Sequence, residues 1–212
     1  MRFTLAALLM LSATPVLAAD IGCEGIFSTS TTLADLEAAF GKENVVTGEV
    51  PGAEGTPMIA TTLFPGDADR EAQVRWWDEE EMQFVAGVTL ARGDTGPLGV
   101  RAGMPIAEVE AINGEPFPLL GFYWDYGGSA GFQSGKLGAL PGGCFLNIGF
   151  TPTNDDLPQD IVDAISGDME LMSNQPEVQQ AGVVVESINL YFDPPPEIEA
   201  LWNEDGGAEG EG

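Results

Sequence analysis

The feature that most constrains this chain is a segment written twice. Thr31-Thr32-Leu33-Ala34-Asp35-Leu36-Glu37-Ala38-Ala39-Phe40-Gly41 recurs 73 residues later as Met104-Pro105-Ile106-Ala107-Glu108-Val109-Glu110-Ala111-Ile112-Asn113-Gly114. Leu33 answers to Ile106, Ala34 to Ala107, Asp35 to Glu108, Leu36 to Val109, Glu37 to Glu110, Ala38 to Ala111 and Gly41 to Gly114. Each copy reads as a short amphipathic helix. The first has a threonine N-cap, Asp35 in the first turn where the helix dipole favours negative charge, and Gly41 as its stop. In the second, Pro105 suits the first helical position and Gly114 closes the helix. Leu33, Leu36 and Phe40 form one apolar stripe, Ile106, Val109 and Ile112 the other. Such a helix cannot bury its oily side alone, so a duplicated unit that packs against its twin is the favoured reading; the alternative is that any short amphipathic helix with a glycine stop looks like this.

Strand-like segments follow each helix. After the first come Met58 to Phe64, Ala72 to Trp77 and Met82 to Leu90, with a turn at Pro65-Gly66-Asp67. After the second come Gly121 to Tyr126, a glycine-rich stretch, and Cys144 to Phe150, whose alternation puts Cys144, Leu146, Ile148 and Phe150 on one face. Leu157 to Ile165 is a third short helix, and Val183 to Phe192 a final strand stopped by Pro194-Pro195-Pro196. With no strand–helix–strand alternation to build a parallel sheet, the fold class is α+β. Two tandem units are expected, each a short helix on an antiparallel sheet, at residues 20–91 and 92–202. The tail, 203–212, is glycine and acid with little to bury and should be disordered.

Residues 1–19 carry the parts of a cleavable secretory signal. Arg2 supplies the charge, Phe3 to Leu11 the apolar run, and Val16-Leu17-Ala18-Ala19 small residues for cleavage. The run is shorter than the roughly 20 residues of a spanning helix, and no later segment approaches that length. A periplasmic or secreted location is therefore expected. Ile21-Gly22-Cys23 ends like a lipoprotein site, although Asp20 stands where an apolar residue belongs. The chain has two cysteines, Cys23 and Cys144, and an even count behind a signal reads as one disulfide. Free buried thiols, or acylation of Cys23, are the alternatives.

The second helix, from Arg101-Ala102-Gly103-Met104-Pro105 to Asn113-Gly114-Glu115-Pro116, resembles a signature shared by two groups. One is the β-lactamase inhibitor protein family, of tandem helix-plus-sheet repeats; the other is the small outer-membrane assembly lipoprotein of the β-barrel insertion machine. The likeness extends over about 70 residues per unit, with about 15 that are specific. It implies a non-enzymatic periplasmic protein that binds another protein through a sheet face or loops. The inhibitor family staples each repeat with its own disulfide, whereas Cys23 and Cys144 would tie the N-terminus to the second unit. Gly121-Phe122-Tyr123-Trp124-Asp125-Tyr126-Gly127-Gly128 resembles part of an uncharacterised family of exported proteins, a likeness that brings no activity with it.

Charge and composition exclude much chemistry. Acidic residues number 34 against 7 basic ones, a net −27 that becomes one unit more negative once Arg2 is removed. Such a charge repels nucleic acid and anionic lipid and keeps a protein soluble. The chain has no histidine, which removes imidazole bases, Ser-His-Asp and Cys-His systems and histidine-ligated metals. Bridged cysteines would remove thiol catalysis too. No dinucleotide or phosphate-loop motif occurs, and no cofactor is expected. A catalytic residue is not assigned.

Three possibilities survive. Asp78-Glu79-Glu80-Glu81 could hold a carboxylate pair for hydrolysis of envelope glycans, the alternative function, though such runs are usually solvated turns. Asp67 and Asp69, or Asn154, Asp155 and Asp156, could hold calcium, but neither has an EF-hand pattern, and no metal site is assigned. Aromatic residues could bind a protein partner. Alternation would send Trp77 and Arg75 to one side of a strand, and Tyr123 and Asp125 to the side opposite Phe122, Trp124 and Tyr126. Trp77, Tyr123, Trp124, Asp125 and Tyr126 are thus the candidate binding residues, with core packing as the plainer alternative.

Overall fold

The computed structural model describes residues 21–52 and 56–206, with side chains in the last helix only to residue 201. The expected signal, residues 1–19, lies outside the described residues. The fold is α+β and mainly antiparallel.

The first helix, α1 (Leu33–Phe40), starts with a full capping box. The Thr32 hydroxyl accepts from the Asp35 N–H at 3.3 Å, and the Asp35 carboxylate accepts from the Thr32 N–H at 2.9 Å. Two donors that the helix start would strand are thereby satisfied. Four strands follow as a meander, β1 (Val45–Pro51), β2 (Pro57–Leu63), β3 (Ala72–Asp78) and β4 (Gln83–Thr89). Of these four only β1 is not expected from the sequence, and the three-residue strands described below are not expected either. β1 is an edge strand with Gly48 and Glu49 at its middle, and its mostly exposed residues show no alternation to read.

Helix α2 (Ile106–Asn113) begins one residue later than expected, because Pro105 sits outside it in extended conformation. Then come β5 (Pro118–Leu120), β6 (Ser129–Gly131), β7 (Phe145–Thr151), α3 (Gln159–Ile165), β8 (Glu170–Met172), α4 (Pro176–Gln180) and β9 (Val184–Tyr191). The proline triplet that stops β9 also launches α5 (Pro196–Gly206), since proline fits a first helical turn. Residues 203–206 of the expected disordered tail therefore belong to a helix, and 207–212 lie outside the described residues.

Seven strands form one sheet in the order β1-β2-β3-β4-β9-β7-β6, while β5 and β8 pair separately. The seam between the halves is β4–β9, with Val88 opposite Leu190. The sheet's inner face carries Val74, Trp76, Val85, Val88, Leu190, Ile148 and Phe150, all buried, in one core with Leu36 of α1 and Ile106 and Val109 of α2. The helices dock alike. Thr32, before α1, bridges Gln83 of β4, and Pro105, before α2, bridges Val184 of β9. Each helix closes on glycine, Gly41 N–H to the Glu37 carbonyl and Gly114 N–H to the Glu110 carbonyl. Cys23 and Cys144 are disulfide-bonded, with Cα atoms 5.2 Å apart. The bond joins the segment before α1 to the start of β7, and it occupies the thiol that acylation would require.

Candidate functional site

The strand expected over Gly121 to Tyr126 is instead a turn, and the reason is local. Phe122 makes an isolated bridge to Ser166, donating to the Ile165 carbonyl at 2.7 Å and accepting from the Gly167 N–H at 2.9 Å. The next residue, Tyr123, then adopts φ +63°, left-handed backbone that an L side chain takes at a cost of roughly 1–2 kcal/mol. Gly127 N–H closes the turn on the Trp124 carbonyl at 2.9 Å. Alternation no longer applies, so the proposed two-faced arrangement of residues 122–126 fails.

Glycines let this loop lie hard against the body. A Cβ on Gly121 would come within 2.5 Å of the Gly167 carbonyl oxygen, and one on Gly128 within 2.0 Å of the Phe150 carbonyl oxygen. Phe122 is buried beneath, whereas Tyr123 is 61% exposed and Tyr126 53%. Trp124 is half-buried: its Nε1–H donates to the Gly121 carbonyl at 2.8 Å, and its ring meets Tyr126 edge-on at 5.5 Å. It braces the loop from inside. Asp125 is exposed. Met169, 40% exposed, lies against Gly121 and extends the apolar surface.

Trp77 does not join this group. It stands on β3, separated from the edge strand β6, which the loop enters, by four strand spacings of about 4.8 Å, or roughly 19 Å. It is half-buried, and its Nε1–H donates to the Phe192 carbonyl at 3.2 Å. The expected surface pairing Trp77 with Tyr123 is therefore two separate places. Trp77 lines an open cleft of about 360 Å³ with Arg75, Phe145 and Tyr191. Reading the sequence strand by strand missed Phe145 and Tyr191, because their joining depends on which strands become neighbours.

The acidic candidates have structural duties. Asp78 accepts through one oxygen from the N–H groups of Glu80 and Glu81, capping a turn, and Glu79, Glu80 and Glu81 are exposed. Asp67 accepts from the Asp69 N–H and lies 3.9 Å from Arg70. Asn154 accepts from the Asp156 N–H and donates to the Gln180 carbonyl. Among the described residues no three carboxylates or thiols converge as metal ligands would, and no helix is long and apolar enough to cross a membrane.

Two carboxylates have shifted acidity, in opposite directions. Hydrogen bonds from the Thr32 side chain, then its backbone, hold Asp35 below the usual range. Burial pushes Asp94 up, partly opposed by the Ala91 N–H that its carboxylate accepts at 3.0 Å. Asp94 borders a second cleft, of about 330 Å³, among Phe27, Phe40 and Phe64. Both carboxylates accept from backbone N–H groups where a helix or turn starts.

No protein-family description, no curated protein and no solved structure matches this chain.

Proposed function

We propose that this chain is a non-catalytic periplasmic or secreted protein that binds another protein through the aromatic loop at 121–128, and that its two halves descend from one duplicated helix-plus-sheet unit. The observation that carries the binding role is Tyr123, a large aromatic ring 61% exposed on left-handed backbone. Left-handed backbone on a non-glycine residue, which Phe64, Met82, Phe84 and Leu98 share, persists where surrounding contacts hold it, and exposed tyrosines supply contact area at low cost in side-chain entropy. The glycines that press the loop inward and the Trp124 brace support it, because a pre-ordered loop loses less freedom on binding.

Duplication is supported by the matched docking of the helices. The residues that bridge to the two central strands, Thr32 and Pro105, and the closing glycines Gly41 and Gly114 all stand at the repeat's own spacing. The resemblance to the tandem-repeat inhibitor family supports the same reading. An oxidising compartment is supported by the Cys23–Cys144 bond.

The test compares capture from periplasmic extract by the wild type and by a Tyr123→Ser/Tyr126→Ser variant. A protein retained by the first, lost by the second, with equal melting temperatures, is the expected result. Identical captured sets would overturn the binding role.

A further inference from the structure

The sheet's outer face is organised in rows. One row is polar: Gln73, Thr89, Asn189 and Asn147 stand opposite one another across four strands, and the Thr89 hydroxyl donates to the Asn189 side chain at 2.8 Å. The adjacent row is Ala60, Arg75, Gly87, Tyr191 and Phe145, in register across five strands. Its composition is unusual for this chain. It holds one of only seven basic residues in a protein of net charge −27, flanked by the two smallest side chains available and then by two aromatics.

The small residues explain how Arg75 lies. A Cβ on Gly87 would stand 2.8 Å from the Arg75 Nη2 atom, so the guanidinium rests on bare backbone at that point. Its other side faces the Tyr191 ring, whose centre is 4.8 Å from the guanidinium carbon. Nη2 is buried and has no hydrogen-bond acceptor. Asp193 borders the same cleft yet makes no ion pair with Arg75. The chain has 34 acidic residues, yet among the described residues none forms an ion pair with Arg75. Buried donors are almost always paired, and one left unpaired is costly. A planar fork of N–H donors matches a carboxylate or a phosphate group, and Asp193 beside it favours the one that carries a single charge.

We propose that the cleft over this row binds a small organic monocarboxylate whose body is aromatic or branched aliphatic. The carboxylate meets the partly exposed side of Arg75 while Nη2 stays buried on the Gly87 backbone, and the body lies against Trp77, Tyr191 and Phe145. Phe145 is 55% exposed and Tyr191 37%, so both rings present apolar surface that a ligand would cover. The cleft, at about 360 Å³, is at the small end of the range for small-molecule sites. Asp193 at its border disfavours a second negative charge. The ligand reaches this face against the chain's overall field, so contact with Arg75, not long-range attraction, holds it. The proposal is independent of the aromatic loop at 121–128.

The test is calorimetric titration of the wild type with 3-phenylpropionate, with 3-phenylpropanol and acetate as controls for the charge and the body. Saturable binding of the first, at least tenfold tighter than either control, is the expected result. Arg75→Gln weakens it at least tenfold. Gly87→Ala weakens it as well without changing any charge, because the added methyl displaces the guanidinium. Amide shift mapping on the wild type keeps the idea falsifiable should a variant fail to fold: perturbations centred on residues 75, 77, 87, 145 and 191 support it. No saturation with phenylpropionate, equal binding of the alcohol, an unweakened Arg75→Gln variant that melts like the wild type, or perturbations centred elsewhere would each overturn it.

Discussion

The two helices start from nearly the same sequence, yet the halves they open are built to different ends. After α1 comes an uninterrupted meander of four seven-residue strands. After α2 the chain reaches its first long strand only at Phe145, having made three-residue strands and the aromatic loop on the way. The caps differ in kind. α1 begins on a side-chain capping box, whereas α2 begins at Pro105 with no side-chain cap; both also donate to the residue just before a strand, Leu33 N–H to the Met82 carbonyl at 3.2 Å and Ile106 N–H to the Val183 carbonyl at 3.0 Å. The start of α1 is therefore specified by its own side chains as well as by a distant strand, and the start of α2 by the distant strand alone. Loops that are pinned by tertiary contacts as well as by their own hydrogen bonds are places where exposed aromatics and strained backbone can be tolerated.

That contrast can be broken most severely at the disulfide, because it ties the N-terminal segment to β7. Cys144→Ser should lower stability by about 2–5 kcal/mol, the usual range for removing a native bridge. Denaturant unfolding measures it, and an unchanged midpoint would mean that the halves hold together without the bond. Next in size is Gly128→Ala, where a methyl meets the Phe150 carbonyl on backbone at φ +75°. Overpacking and left-handed strain together predict a loss of about 2–4 kcal/mol. Gly66→Ala, at φ +83° with open space around it, should lose only about 1 kcal/mol by the same reasoning. If the two melt alike, the loop in the second half is less tightly seated than its glycines indicate.

The loop's strain offers a test of opposite sign. Tyr123→Gly removes a side chain from left-handed backbone and should raise stability by about 0.5–1 kcal/mol, while abolishing partner capture. A destabilised variant would place Tyr123 among the packing residues.

The smallest effects concern acid. Asp35 in the first half has a folded pKa below its ordinary 3.8, so its contribution is present above that value and fades as pH falls through the folded one. Asp94 is the reverse: its folded pKa lies above 3.8, so its contribution is full below that value and is lost as pH rises through the folded one. Asp94→Asn should therefore melt above the wild type at pH 7 and lose that advantage in acid. Asp35→Asn should melt below the wild type at pH 7 and converge with it in acid. Melting curves across this range check both, and parallel curves would remove the distinction.

Legibility followed range. Helix α1 was readable in full, since Thr32, Asp35 and Gly41 act within one turn of themselves. Strands β2, β3, β4, β7 and β9 were readable because apolar or β-branched runs bounded by glycine and proline mark them. The turn at 121–126 was not: Phe122-Tyr123-Trp124 looks like a strand by composition, and only the bridge to Ser166 and the close approach of Gly121 and Gly128 to distant carbonyls bend it. Among the candidate binding residues, Tyr123 and Tyr126 are exposed as a contact role needs, Trp124 turns inward, and Trp77 belongs to another surface.

By itself the sequence determined the α+β class, the place of the two helices that end on Gly41 and Gly114, the lack of imidazole chemistry and, once sulfur is oxidised, the only intramolecular disulfide that two cysteines can make. Tertiary structure alone decided that β9 lies between β4 and β7, and hence that Arg75, Gly87, Tyr191 and Phe145 share a row. The reason is physical. Dihedral preferences and caps act over a few residues, but a strand's neighbour is chosen by how much apolar surface the whole chain can bury, and no short stretch of sequence contains that sum.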